Sequence, residues 1–396
     1  MSVKPFTIAP DAAREKLIKE RIADYQWPVD MQLGADENPW VYGMDQQFLQ
    51  EFCRYVVADY QWQSTIDELH RFSHFTVEID GLNIHFIRED GSGDNPQALL
   101  MTHGWPGSVY EFNEVIDRLA HPENYGGKPE DGLTVICPSL PGYGFSDAPP
   151  RPLGQVTTAA MWNKLMVEVL GFDTYMAQGG DWGSVVTGLL GLHHGVDKGP
   201  DIGKGCKAIH MNMYGLRGEG VPETEEEQKW AADSQAVMEA ESAYLQLQMT
   251  KPQTLIYAMN ESPVGVAAWI LEKFYSWSDL PLSHGRPDLL KRYSMHALAS
   301  NLMVYLMTDS FMSAIWFYRG FAEELPHIPP GKKITVPVGV GKFNDTYLGF
   351  PPRRLMESSF NIVHWAEFDD AGHLRRWKIR RNLPMRFWIS PPRFRS

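Results

Sequence analysis

Apolar residues recur at helical spacing in Ala12–Asp24 and Gln46–Val57, which predicts two amphipathic helices before residue 71. The period then changes to two. His74–Asp80 and Leu82–Arg88 alternate about Asp80-Gly81, the signature of a tight hairpin. Ala98–Thr102 and Leu133–Cys137 are short continuous apolar runs of the buried-strand kind, and Tyr175–Ala177 and Lys207–Met211 follow with helical stretches between them. Such alternation predicts the α/β class, a mostly parallel sheet with helices on both faces. From about 221 to 320 the strands give way to helical stretches over Glu223–Tyr257, Leu255–Phe274 and Leu302–Tyr318; strands return at Ile334–Gly341 and Asn361–Phe368. A helical block inside an α/β pattern reads as a cap over the C-terminal strand ends, where open α/β sheets place their sites.

The bulk properties narrow the class of partner. With 396 residues the chain can bury a large core, and 43% hydrophobic with 21% charged residues is ordinary globular composition. A net charge of −13 argues against nucleic acid. The three cysteines, Cys53, Cys137 and Cys206, match no metal-ligand spacing and suit a reducing compartment. The N-terminal stretch lacks a signal-peptide core and no apolar run is long enough to span a membrane, so a cytoplasmic protein without a membrane span is expected.

The chemistry gathers around one turn. Gln178-Gly-Gly-Asp181-Trp-Gly183 lies between a strand and a helix and has the form small-x-nucleophile-x-small. Glycines on both sides permit the strained bend that lifts one side chain above the sheet. Serine or cysteine is usual at the centre; here it is aspartate, which otherwise reads as a helix cap. His103-Gly-Trp-Pro-Gly-Ser108 follows a strand, where an α/β-hydrolase aims a backbone N–H, that of Trp105, at a developing oxyanion. The N–H of Trp182 is the partner donor. His373 follows the strand Asn361–Phe368, the place of a triad base. Asp345, in Lys342-Phe-Asn-Asp, is the carboxylate close behind Ile334–Gly341 and the candidate acid, with an Asn-Asp turn as the plainer reading.

These residues resemble the microsomal-type epoxide hydrolases, a family that includes fungal soluble members and insect juvenile hormone epoxide hydrolases. The resemblance runs from about Pro39 to His373 through Tyr42-Gly-Met-Asp45, Phe75–Phe86, His103–Ser108, Cys137–Asp147, Gln178–Gly183, Thr250–Thr254 and Ser262–Phe274. It implies the α/β-hydrolase fold, with an N-terminal meander and hairpin (1–95), a first core part (96–220), a helical cap (221–320) and a second core part (321–396). It also implies that Tyr244 and Tyr318 are the cap phenols that protonate an epoxide oxygen. Asp181 would then form an alkyl ester that water, activated by His373 and Asp345, hydrolyses to a vicinal diol. The implied partners are a small aryl or otherwise apolar epoxide and water; no metal or organic cofactor is required, and a homodimer is compatible. A haloalkane dehalogenase shares the aspartate and histidine and would read Trp105 and Trp182 as halide donors, but paired tyrosines favour an epoxide. A catalytically impaired ligand-binding relative is the alternative outside catalysis.

After His373 the resemblance stops. Leu374–Ser396 holds eight basic residues and no acidic one, so the rest of the chain carries −21 against −13 for the whole. One permitted codon choice for Leu374–Pro392, read in a neighbouring frame, gives Ser-Pro-Val-Glu-Asn-Pro-Glu-Glu-Leu-Ala-Asp-Glu-Val-Leu-Asp-Ile-Ala. We read the tail as a frameshift just after the histidine, with a basic binding tail as the alternative.

Overall fold

The computed structural model describes residues 2–34, 36–343, 347 and 349–368. Nine strands, β1 (Lys4–Pro5), β2 (Ser73–Ile79), β3 (Leu82–Glu89), β4 (Gln97–Thr102), β5 (Leu133–Pro138), β6 (Thr174–Gly179), β7 (Gly205–Met211), β8 (Ile334–Phe343) and β9 (Phe360–Phe368), form one sheet. Their spatial order is β1-β2-β3-β5-β4-β6-β7-β8-β9. The first four in that order pair antiparallel, and from β5 onward every neighbour is parallel. This is the mostly parallel α/β-hydrolase sheet.

Local sequence explains the elements. In the β2–β3 hairpin Asp80 and Gly81 both take positive φ, 51° and 84°, the conformation that an Asp-Gly turn provides most cheaply. Every residue of β5 is buried, so it reads as a continuous apolar run rather than an alternating one. Helix α1 (Ala12–Ala23) begins where the Asp11 carboxylate accepts the Arg14 N–H, and α2 (Gln46–Ala58) where Asp45 accepts that of Gln47. Helix α3 (Trp62–Leu69) completes the N-terminal region.

The nucleophile-turn helix, α4 (Trp182–His193), lies against β6, β7 and β8. Between β7 and β8 the chain is mostly helical, with one short hairpin over Leu282–Pro287: α5 (Glu225–Glu241), α6 (Ala243–Thr250), α7 (Pro252–Met259), α8 (Pro263–Ser276), α9 (Met295–Thr308) and α10 (Phe311–Glu324). The stretches read as helical, Glu223–Tyr257, Leu255–Phe274 and Leu302–Tyr318, are helical, and each is divided among more than one helix. Pro252 and Pro263 each open a new helix, since proline lacks the N–H that the interior of a helix would need. Asp309 takes φ 56°, a left-handed conformation that ends α9. N-terminal helices brace this block: Arg14 donates to the Leu306 carbonyl at 2.8 Å and Thr65 to Ser300 at 2.7 Å. Among the described residues no helix is long and apolar enough to cross a membrane.

Candidate active site

Asp181 stands between β6 and α4 at φ 50°, ψ −130°, a region that non-glycine residues seldom occupy. Two crowded glycines make the bend possible. A β-carbon on Gly179 would stand 1.9 Å from the Gly183 carbonyl oxygen, and one on Gly183 would stand 2.0 Å from that of Thr102. The helix-cap reading fails, because the carboxylate makes no capping hydrogen bond to α4. Its Oδ1 instead accepts the Trp105 backbone N–H at 2.8 Å. Ser184, one turn on, donates its hydroxyl to the Asp181 carbonyl at 2.8 Å, so it is occupied in holding the turn. Trp182 opens α4 and its N–H has no intrahelical acceptor.

The loop that carries Trp105 is pinned from both sides. His103 Nε2 accepts the Leu140 N–H at 3.0 Å, which leaves the ring proton on Nδ1, facing the Gly104 carbonyl at 3.1 Å. From helix α9, Asn301 donates to the Pro106 carbonyl at 2.7 Å and accepts from Ser108 at 2.9 Å, while the Tyr305 hydroxyl donates to the Gly107 carbonyl. Cap and oxyanion loop are thus one hydrogen-bonded unit.

Two phenols from the cap come down beside this loop. The Tyr244 ring stacks on Trp105 with centroids 5.5 Å apart, and Tyr318 meets Trp105 edge-on at 5.8 Å and Trp182 at 4.6 Å. Both are buried. Burial first, then neighbouring phenols and the Asp181 charge, push both hydroxyls well above the usual tyrosine range. They stay protonated and can donate. Tyr347, buried on the loop after β8, places its hydroxyl 3.2 Å from that of Tyr244 and stacks on Trp277 at 4.5 Å.

Asp181, Trp182, Tyr244, Tyr318 and Tyr347 line one cavity of about 340 Å³. A larger hollow of about 550 Å³, between α1 and α2, is lined by Ile22, Trp27, Cys53 and Arg54 and holds no acid–base pair. We take the smaller one as the site because the strained carboxylate and both phenols open into it. Among the sequence-derived candidates, Asp181, Trp105, Trp182, Tyr244 and Tyr318 therefore come together, while Asp345 and His373 lie outside the described residues. Sequence reasoning missed Asn301, Tyr305 and Tyr347. No spacing links them to the turn, and only the folded cap brings them there. Among the described residues no group of His, Cys, Asp or Glu is arranged to hold a metal ion.

Residues 3–112 match the profile of the epoxide hydrolase N terminus, and residues 97–253 that of the alpha/beta hydrolase fold. The chain is 32% identical over 402 residues to epoxide hydrolase 1 of Oryctolagus cuniculus, across 94% of this chain and 85% of that one. The crystal structure of juvenile hormone epoxide hydrolase from the silkworm Bombyx mori matches with TM-score 0.78 at 29% identity, covering 95% of this chain and 90% of that one. Aspergillus niger epoxide hydrolase matches with TM-score 0.78 at 27% identity, covering 95% and 92%.

Proposed function

Taking as premise that the chain belongs to the epoxide hydrolase family and opens epoxides to vicinal diols, we propose that Asp181 is the nucleophile and Tyr244 and Tyr318 the proton donors. The observation that carries this reading is one cavity holding a carboxylate on a strained turn, faced by two protonated phenols.

A carboxylate is ionised at neutral pH and needs no base before it attacks. One Asp181 oxygen bonds to an oxirane carbon, the ring C–O bond breaks, and the departing oxygen takes a proton from a phenol. The product of this half is an alkyl ester and a free hydroxyl. An alkoxide is a poor leaving group, so donors placed where its charge develops lower the barrier directly. In the second half His373, oriented by Asp345, takes a proton from water, and the hydroxide adds to the ester carbonyl of Asp181. The Trp105 and Trp182 amides hold the resulting oxyanion until the ester C–O bond breaks; the leaving alkoxide takes the proton of the new carboxylic acid, and the diol departs with Asp181 ionised again. The hydrogen bond from Trp105 to Asp181 supports this role, since that donor already meets the carboxylate oxygen. The phenol regains its proton from the histidine by way of solvent.

The division of labour is testable. In His373→Gln the first half proceeds and the second stalls, so an epoxide substrate is expected to leave Asp181 alkylated, seen as an adduct on the intact protein by mass spectrometry. An unmodified variant after exposure to an epoxide that the wild type hydrolyses sinks the mechanism.

One observation favours a second reading. The indole N–H groups of Trp105 and Trp182 are buried with no hydrogen-bond partner among the described residues, and such groups can hold a departing halide. A halide leaves without needing a proton, however, and the two phenols would then have no task. Halide release from haloalkanes, set against diol formation, separates the two.

A further inference from the structure

The cavity that holds Asp181 is apolar along most of its wall, with Val185, Met213, Leu245 and Phe321 among its lining residues. Among the described lining residues only two are exposed, Arg217 and His327. Exposure places this pair at the mouth, opposite in character to the half-buried carboxylate and the buried phenols at the base. Both side chains can carry positive charge, on a chain whose net charge is −13.

Arg217 has no acid partner among the described residues, and the acids nearest to the pair in sequence are already engaged. Glu219 accepts the Gly331 N–H at 3.0 Å, and Glu223 pairs with Arg354 at 3.0 Å. Glu323 pairs with Arg319 at 2.7 Å, and Glu324 caps the chain at Val156 through a 2.6 Å hydrogen bond. The Arg217 charge is felt at the Tyr214 phenol, another wall of the same cavity, where it opposes the burial that pushes that phenol up. His327 follows the left-handed Leu325 that ends α10; its Nδ1–H donates to the Leu325 carbonyl at 2.8 Å, which fixes the ring at the rim.

From this arrangement we propose that the enzyme prefers epoxides with an apolar body and an anionic group, most simply a carboxylate, at the end remote from the oxirane. The oxirane would sit at Asp181, the apolar body along the wall, and the carboxylate against the Arg217 guanidinium, whose planar fork matches a carboxylate. The order matters. An anion cannot approach Asp181 without repulsion, so a charged group on the substrate is tolerated only where the mouth supplies the opposite charge. The proposal deepens the epoxide hydrolase reading and rests on it.

The probe is an ω-epoxy carboxylic acid compared with its primary amide, which has the same length and shape without the charge. Because the pair is solvent-exposed, its effect is modest: the wild type is expected to favour the acid about three- to five-fold in kcat/KM at low ionic strength. That ratio falls toward one in Arg217→Gln, and also in the wild type at about 1 M salt, where the screening length shrinks to a few ångströms. Equal kcat/KM for acid and amide in the wild type, or a ratio that Arg217→Gln leaves unchanged, overturns the proposal. Failure to hydrolyse either probe, or a simple neutral epoxide alongside, would instead remove the epoxide reading beneath it.

Discussion

At Gly104 a β-carbon would stand 2.2 Å from Oδ1 of Asp181 and 2.4 Å from its Cβ. The obstructing atoms belong to the nucleophile itself, which is held at a strained backbone position and accepts the Trp105 N–H. The side chain cannot swing aside without losing both its hydrogen bond and its aim. We therefore expect Gly104→Ala to fold and to lose about 100-fold in kcat, the scale of a displacement of about 1 Å at a reacting group. The rate of ester formation on Asp181, followed by mass, should fall with it. An alanine variant that keeps near wild-type kcat would show that Asp181 is not the attacking group. Much of this residue-level detail was legible beforehand. Small-x-Asp-x-small between a strand and a helix, and a glycine-rich loop after an earlier strand, both follow from steric rules that need no three-dimensional information. What could not be read was the partner shell. Asn301 and Tyr305 reach the loop across some two hundred positions of chain, and ordinary helix-face residues carry no mark of such a contact.

Among elements, the β2–β3 hairpin is fastened to the rest of the core by a chain of buried histidines. The Leu69 carbonyl can only accept, so His74 Nε2 carries a proton and donates at 2.9 Å. His74 Nδ1 then accepts from His85 Nε2–H at 2.8 Å, and His85 Nδ1 accepts the Ser139 hydroxyl at 2.9 Å. The polarity of the chain is fixed from end to end, and an extra proton on His74 sets two ring N–H groups against each other. Burial lowers the His74 pKa to about 4, and burial with the His74 and His103 rings nearby also holds that of His85 well below the usual histidine range. The unfolded chain takes up these protons near pH 6.5, whereas the folded chain resists them. Stability is thus full above pH 6.5 and is lost as the pH falls toward 4, by about 3 kcal/mol from His74 alone. Urea unfolding midpoints measured from pH 7.5 to 5, above the range where most carboxylates titrate, should fall steadily. Replacing His74 with glutamine should flatten that slope, and a midpoint independent of pH in the wild type would contradict the account. The hairpin itself was legible from Asp80-Gly81 and the alternation around it. The histidine chain was not, because alternation says which residues face inward but not which of them touch.

On the scale of the whole molecule, the sheet ends at β9, which pairs only with β8 among the described residues. Its outer part is the least buried of the late parallel strands: Val363 is 41% exposed, and Trp365 and Phe368 are half-buried. Layer architecture requires such a face to be covered by apolar residues from another element. Leu374–Ser396 offers basic residues interleaved with aromatic ones and a proline near its middle, at no helical period. The neighbouring-frame segment offers the reverse. It has Asn then Pro then two Glu, a good N-cap, first position and acidic first turn, followed by Leu, Val and Ile spaced at four and three residues. The cap helices show how sequence of this kind is used, since Pro252 and Pro263 each begin a helix in the same way. A chain carrying that acidic segment in place of residues 374–396 is therefore expected to bury two or three apolar side chains on β9. At about 1.5–3 kcal/mol each, this should raise the unfolding temperature by about 5 °C or more. Thermal unfolding of the two chains side by side decides it. A basic-tailed chain that unfolds no earlier than its counterpart would mean that the tail belongs to the fold as it stands and that no frame was lost.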